Sequence, residues 1–456
     1  MVERYIDVVD VIGSSPIPRT MKPVKILGIE TSCDETAVSI IEVDEINETV
    51  KILGNTVHSQ IDIHAQYGGV FPILAKREHQ INLIPVLVKT LREAGTYEET
   101  KIKREIGKGT AKIKKQEEMA EKINEIEQIL NRESELLPHF KKFIENTKEP
   151  DIDYIAVTVG PGLEPALWVG INFARALSRA WNIPIIPCNH MEGHILTALI
   201  RKADKEQKDE KKNDAGGTYN ETYKLLHKNI SYPALALLIS GGHTQIVLIE
   251  SLGNYKIVGE TRDDAVGECF DKVARTLGLP YPGGPQISKL AAKARKANIK
   301  SPEPLPRPMI ASDDMDFSFS GLKTSVLYLT RRLKEKSTLP SSPLNSPLEN
   351  SVVSGIARET EDAITDVIVT KMRKAIEKFA VETIIIGGGV IANTHIREEL
   401  EKLAEECSIK ILLPKFDHAT DNGLMIAIAG YFNKSKAVNS SVILKAIGTL
   451  PIGPRI

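Results

Sequence analysis

Hydrophobic residues open this chain in three β-branched runs, KILGIE at 25–30, AVSIIEV at 37–43 and KILGNTV at 51–57, the first two joined by the polar turn TSCDET. Runs of this length and composition predict strands, here a three-stranded meander with an acidic first turn. The period then changes. After the glycine loop YGGV, apolar residues at 81, 84, 87 and 91 take the spacing of one helical face laid over the sheet. DYIAVTVG (153–160), GPGLEPALWVGINFARALSRAW (160–181) and IPIIPCN (183–189) read as strand, helix and strand, a unit whose strands pair in parallel. From 234 the opening pattern restarts with ALALLIS, the turn GGHT, QIVLIES and NYKIVGET. Helices over 267–279, 281–297 and 351–379, a strand at 383–389, a helix near 393–405, a strand at 410–414 and a last helix from about 421 follow. The repeated strand, turn, strand, strand predicts an internal duplication, with Thr31–Thr36 and Gly241–Thr244 facing each other across a cleft. The fold class is α/β in two similar halves, and the duplicated meander points to an actin-like arrangement.

This pattern divides the chain into an N-terminal tail (1–22), a first half (23–200), a charged insertion (201–230) and a second half (231–420). A Lys/Glu-rich helical insertion, 95–148, interrupts the first half, with Ile123, Ile126, Ile129 and Leu130 at helical spacing, and a C-terminal helix over 421–450 completes it. Both insertions read as solvated surface excursions. Composition, 42% hydrophobic and 26% charged, is that of a globular chain and excludes a fibrous or wholly disordered one. With a formal net charge of −1, a polyanion would need a local basic patch. The four cysteines are scattered without a CxxC pair, which excludes a disulfide framework and a structural zinc site and fits a reducing compartment. No apolar run reaches the ~20 residues of a membrane span. Glu3, Asp7 and Asp10 are unlike a targeting leader, so the expected location is cytoplasmic.

Candidate chemistry begins at His190-Met191-Glu192-Gly193-His194, because histidines four residues apart share one helical face and can hold a metal. The alternative is a pair of helix-start histidines bonded to backbone. Asp421, at the start of the last helix, either caps that helix or completes a two-histidine, one-carboxylate set that iron(II) or zinc would suit. The glycines 241–242, 283–284 and 387–389 can bring backbone N–H groups against phosphate oxygens. Neither a Walker A sequence nor GxGxxG occurs. Asp34 and Glu35 are candidate catalytic acids near the expected phosphate position, against the alternative of solvated turn acids. Asp271 is a candidate acceptor for a ribose hydroxyl, against a helix-surface ion pair. A metallopeptidase is the competing reading of HMEGH, but peptidase zincins place glutamate directly after the first histidine, and Glu192 at the second position points away from the histidine face.

Together GIETSCDET (28–36), YGGV (67–70), GPG (160–162), HMEGH (190–194), SGGHTQ (240–245), GECFDKVARTLGLPYPGGP (267–285), FSFSGLKT (317–324), GGGVIAN (387–393) and TDNGLMIA (420–427) resemble the TsaD family of tRNA threonylcarbamoyladenosine transferases, once labelled glycoproteases. The histidine of SGGHT resembles the bacterial and organellar branch. The resemblance implies an actin-like ATPase (ASKHA) fold with two RNase H-like subdomains around a central cleft. It implies transfer of a threonylcarbamoyl group from threonylcarbamoyl-AMP to N6 of the adenosine 3′ of the anticodon in tRNAs reading ANN codons. By motif, His190, His194 and Asp421 would hold one divalent metal, iron(II) ahead of zinc. Leu238, Ile239, Ser240, Gly241, Gly242, Asp271, Gly284 and Asn393 would bind the acyl-adenylate, with ATP or ADP able to occupy the same cleft. Implied partners are tRNA, TsaB-like and TsaE-like accessory proteins and a TsaC-like synthase, with no membrane. Ile73 stands where the family often has glutamate, and the two insertions depart from its pattern.

Overall fold

The computed structural model describes residues 22–99, 110–203, 221–337 and 348–456. Among the described residues twelve strands form two sheets: β1 (Val24–Glu30), β2 (Glu35–Asp44), β3 (Thr49–Ser59), β4 (Tyr154–Gly160), β5 (Ile185–Asn189), β6 (Ile200–Lys202) and β7 (Glu221–Leu225) in the first, and β8 (Ala234–Ile239), β9 (Thr244–Ser251), β10 (Asn254–Glu260), β11 (Thr383–Gly387) and β12 (Lys410–Leu412) in the second. The helices, in chain order, are α1 (Ile61–Ala65), α2 (Pro72–Glu93), α3 (Thr110–Ile129), α4 (Leu136–Asn146), α5 (Glu164–Trp181), α6 (His190–Thr197), α7 (Val266–Thr276), α8 (Gly283–Lys296), α9 (Ser320–Ser337), α10 (Asn350–Phe379), α11 (Thr394–Glu406) and α12 (Gly423–Phe432).

The duplication is visible in strand order. The first sheet runs β5-β4-β1-β2-β3 before its two extra strands, and the second runs β10-β9-β8-β11-β12, the same order read backwards. In each, the opening strand pairs antiparallel with the meander and parallel with the strand that follows the crossover. This is the actin-like arrangement, two related subdomains with their opening turns at a shared cleft. Between the sheets lies a common core in which Ile26, Ala236 and Ile385 pack with Met191 and Ile195 of α6 and Leu424 and Ile428 of α12. Glycine lets α12 sit directly on β1, since a Cβ at Gly28 would meet the carbonyl oxygen of Gly423. That contact fixes the start of α12, and with it Asp421, against the first subdomain.

Several expectations need correction. The buried face of α2 carries Leu83, Val86, Leu87 and Leu91, so 87 and 91 point inward as expected, whereas Ile81 is partly exposed and Ile84 only flanks the core. In the insertion at 95–148, of which 100–109 lie outside the described residues, α3 and α4 are not simply solvated: Leu136, Phe140 and Phe143 are buried in the core under α5, and Phe140 meets Phe173 edge to face. The segment 201–230 is not purely a surface excursion either. Residues 204–220 lie outside the described residues, but Glu221–Leu225 pairs antiparallel with β3 and extends the sheet, turning Tyr223 and Leu225 inward. Removing 221–230 would therefore break the core. We expect Tyr223→Ala alone to cost about 3–5 kcal/mol of stability, measurable by denaturant unfolding. The last helix ends at Phe432 rather than 450, and the following chain returns along β5 through a bridge between Ile185 and Val438.

Candidate active site

Helix α6 starts where β5 ends, and Asn189 supplies its N-cap, accepting from the backbone N–H groups of Met191 and Glu192. With the cap made by Asn189, the imidazoles of His190 and His194 are free of that duty. They are buried on one face, their rings 4.7 Å apart, with Nε2 atoms 3.2 Å apart. Asp421 is not a cap, since Asn422 caps α12 by accepting from Met425 N–H. Its Oδ1 instead lies 3.1 Å from His194 Nε2 and 3.5 Å from His190 Nε2. Among the described residues these three side chains form a group able to share one ion, their ligand atoms all within 4.8 Å of one another. Atoms that bind one ion at about 2.0–2.2 Å stand some 3 Å or more apart, so the spacing and the donor set both fit a divalent transition metal.

The sequence reading missed the layer behind these ligands. His190 Nδ1 lies 3.1 Å from Ser32 Oγ and 3.3 Å from Glu30 Oε2, which fixes the ring so that Nε2 faces the other two ligands. Glu30 is itself held by Ser32 N–H and the Thr158 hydroxyl. Burial works against charge on His190, but Asp421 and Glu30 outweigh it and raise the imidazole to about 9. Burial likewise opposes ionisation of Asp421, and the histidines overcome it, holding the carboxyl well below its usual range. His243, in the β8–β9 turn, feels the same three residues; burial and the two histidines lower it to about 4, leaving it a neutral imidazole beside the triad. Glu192 is turned away, as its position required. Its carboxylate accepts from Tyr255 Oη at 2.9 Å and Asn433 Nδ2 at 2.8 Å, leaving no general base where a zincin needs one.

Gly387 sets the depth of α6. A Cβ there would lie 2.9 Å from the carbonyl oxygen and 3.1 Å from the Cβ of His194. Gly387→Val should push α6 off β11, lowering affinity for added iron(II) or zinc by about 10–100-fold, the range seen when a ligand's support is lost. Calorimetric metal titration checks this, with circular dichroism to confirm folding. The glycine run at 387–389 is thus mainly a packing device: Gly388 adopts φ +94° against Ile239, and Gly389 reaches the cleft. Gly283 packs against α7, whereas Gly284 is open.

Beside the triad lies a cavity of about 570 Å³ whose lining includes Gly241, Asp271, Gly284, Gly389 and Asn393. Four of the proposed acyl-adenylate residues, Gly241, Asp271, Gly284 and Asn393, thus meet at one place. Gly242 is adjacent, and like Gly241 it has open space around it, as close backbone approach by a ligand requires. Ser240 serves the turn: its hydroxyl accepts from His243 N–H and its carbonyl from Gly267 N–H. The side chains of Leu238 and Ile239 point into the two cores, so these residues can offer only backbone. Asp271 accepts from Gly283 N–H at the start of α8, and burial raises its carboxyl. Asn393 caps α11 through Ile396 N–H and donates to Glu361.

Asp34 is buried at the β1–β2 turn and Glu35 opens β2. Burial, then the charges of Asp34 and Asp421, raise Glu35 well above the usual carboxylate range. The pair also acts electrostatically on Tyr281, and Asp34 on Asp271, from the opposite side of the cleft. Ile73 projects into solvent, largely exposed at the start of α2, rather than into this cleft.

A duplicated α/β fold of actin-like topology thus carries a two-histidine, one-carboxylate cluster beside a nucleotide-sized cavity. The model of the TsaD family, tRNA N6-adenosine threonylcarbamoyltransferase, matches residues 51–103, 131–208 and 218–428. The chain is 35% identical to the tRNA N6-adenosine threonylcarbamoyltransferase of Polynucleobacter asymbioticus over 94% of this chain and 97% of that one. It is 36% identical to the enzyme of that name from Thermosipho africanus, over 94% and 99% of the two chains, and 36% identical to that of Bartonella henselae, over 92% of each. This chain belongs to the TsaD family.

Proposed function

We propose that this protein transfers the threonylcarbamoyl group of threonylcarbamoyl-AMP to N6 of the adenosine 3′ of the anticodon in tRNAs reading ANN codons. The observation that carries the reading is the junction of two sites through one turn: Gly241 lines the cavity, and two residues on, His243 faces His190, His194 and Asp421. An adenylate held at the open glycines therefore presents its acyl end to the triad. His190, His194 and Asp421 would hold the divalent metal, iron(II) or zinc, which supplies Lewis acidity toward the carbamoyl oxygen.

In the reaction the N6 nitrogen forms a bond to the carbamoyl carbon, the bond from that carbon to the phosphate oxygen breaks, and AMP leaves with the electron pair. Backbone N–H groups at Gly241 and Gly242 would hold the phosphate as it gains charge. An exocyclic amine becomes acidic only as its new bond forms, so its proton needs an acceptor at that moment. Asp34 and Glu35 face the triad and the cavity from the first subdomain and are the acids placed for this. Burial, then the charges of its neighbours, raise the Glu35 carboxyl, which suits this turn to proton transfer rather than to binding a second cation. Glu30 and Ser32 orient His190. A synthase making threonylcarbamoyl-AMP must supply the donor, and TsaB-like and TsaE-like proteins are the expected accessory partners. The expected location is the cytoplasm.

The test is to incubate purified protein with threonylcarbamoyl-AMP and tRNA, with casein, and with ATP plus sugars. Modified adenosine in the first mixture only is expected. Peptide release or sugar phosphate without modified tRNA would overturn the reading in favour of a peptidase or a kinase.

A further inference from the structure

A second cavity, of about 460 Å³, lies away from the cleft, on the outer side of the first subdomain between α5 and the insertion. Pro165, Trp168, Asn172 and Arg175 recur at steps of three and four and so present one face of α5 to it. The opposite wall comes from the end of α3 and the loop after it, in the 95–148 insertion to which no role has been given above.

The charges of this cavity do not balance. Glu125 is taken by Arg179, whose Nη2 lies 3.0 Å from Glu125 Oε1. Glu133 is engaged on one side: Oε1 accepts from Asn172 Nδ2 at 3.2 Å, while Oε2, 3.5 Å from Lys76 Nζ as an ion pair, is buried without a hydrogen-bond donor. Arg175 is left over. Among the described residues it has no ion-pair partner, and its Nε is buried with no hydrogen-bond acceptor. A buried donor without an acceptor is costly, more so when it is charged, so the unmatched guanidinium lining this cavity favours an anion. Arg132, exposed at the rim, adds a second cation without a matched acid among the described residues. Trp168 offers an aromatic surface in the same cavity. The volume falls in the ordinary range for a small organic ligand, about 300–1,000 Å³, and exceeds what a lone phosphate fills.

We infer that this cavity binds a small phosphate-bearing ligand, its oxygens on the Arg175 guanidinium and its ring or apolar part against Trp168. A planar guanidinium suits a phosphate bidentately. The site is independent of the central cleft, and the insertion is what builds its outer wall.

The chain has two tryptophans, which makes the proposal directly measurable. Trp181 is buried against Phe143, and no tryptophan lines the central cleft, so Trp168 reports this cavity. The full-length Trp181→Phe protein is titrated with inorganic phosphate, AMP and adenosine while emission is followed. Saturable changes with phosphate and AMP, absent with adenosine, are expected. AMP should bind more tightly than inorganic phosphate, because the Trp168 face adds to the phosphate contact; phosphate matching AMP would overturn the ring contact and with it the proposal. Arg175→Gln should weaken binding by about tenfold or more, the loss expected for a charge-assisted pair, and Arg175→Lys should restore part of it, with unchanged circular dichroism. Arg132→Glu, a surface change that leaves folding intact, should weaken binding as well. No saturable change at millimolar phosphate or AMP, adenosine binding as well as AMP, or affinity indifferent to Arg132→Glu and to the Arg175 variants would overturn the proposal.

Discussion

His194→Ala is expected to yield a folded protein that binds neither iron(II) nor zinc with useful affinity and forms no modified tRNA. The fold should survive because α6 is held by other contacts: Met191, Ile195 and Leu196 fill the core between the sheets, and Asn189 still caps the helix. The ligand set would not survive, because among the described residues three side chains converge, and removing one leaves an imidazole and a carboxylate. Loss of a supporting partner alone lowers metal affinity about 10–100-fold, and loss of a ligand should exceed that. His190→Ala should do the same, and chelation of the unaltered enzyme should reproduce both. Elemental analysis, near-UV circular dichroism and transfer assays on one preparation check the prediction. Full transfer by a metal-free His194→Ala protein would remove the metal from the account.

The second large effect concerns the facing turn. Asp34→Ala and Glu35→Ala should each depress the single-turnover rate of transfer by about 10²–10⁴-fold, the usual worth of positioned proton transfer, while changing acyl-adenylate affinity far less. Both acids belong to the opening turn of the first sheet, whereas Gly241 and Gly284 belong to the second half, so the acids are expected to meet the incoming amine rather than the adenylate. Glu35→Gln should retain more activity than Glu35→Ala if hydrogen-bonded positioning is part of the role, since burial and the neighbouring acids raise the Glu35 carboxyl. Rapid-quench turnover with labelled donor separates rate from binding. Loss of acyl-adenylate affinity at an unchanged rate would place both residues in substrate binding.

Much of the molecule was legible because its signals are local. Short β-branched and apolar runs mark β1 to β3 and β8 to β10, their repetition marks the duplication, and a four-residue step marks His190 and His194. Its place at the start of the last helix made Asp421 a candidate third ligand, and the motif resemblance added to this, although its partners are more than two hundred residues away. What escaped notice is of two kinds. β7 did carry an alternating pattern, Tyr223 and Leu225 inward with Thr222 and Lys224 outward, but it is five residues long in a Lys-rich setting, where a short edge strand has little contrast. The insertion's Leu136, Phe140 and Phe143 were similarly masked by charged neighbours. The supporting residues are a different matter: Ser32 and Glu30 lie 158 and 160 positions from His190, and no spacing rule links residues so distant. Gly387 looked like a phosphate loop because glycine serves close packing and ligand approach for the same steric reason. The last helix stopped short because Asn433 and the serines beyond it favour turns, and Gly448 packs against the α5 entry.

The central claim is that this cleft delivers the carbamoyl carbon to one exocyclic amine. Its most direct measurement uses threonylcarbamoyl-AMP labelled in the acyl group and two tRNA transcripts, one native and one with inosine, which lacks the N6 amine, in place of the adenosine 3′ of the anticodon. The account predicts label on the native transcript with release of AMP, and none on the inosine transcript. Equal labelling of both, or AMP release with no label on either, would contradict it.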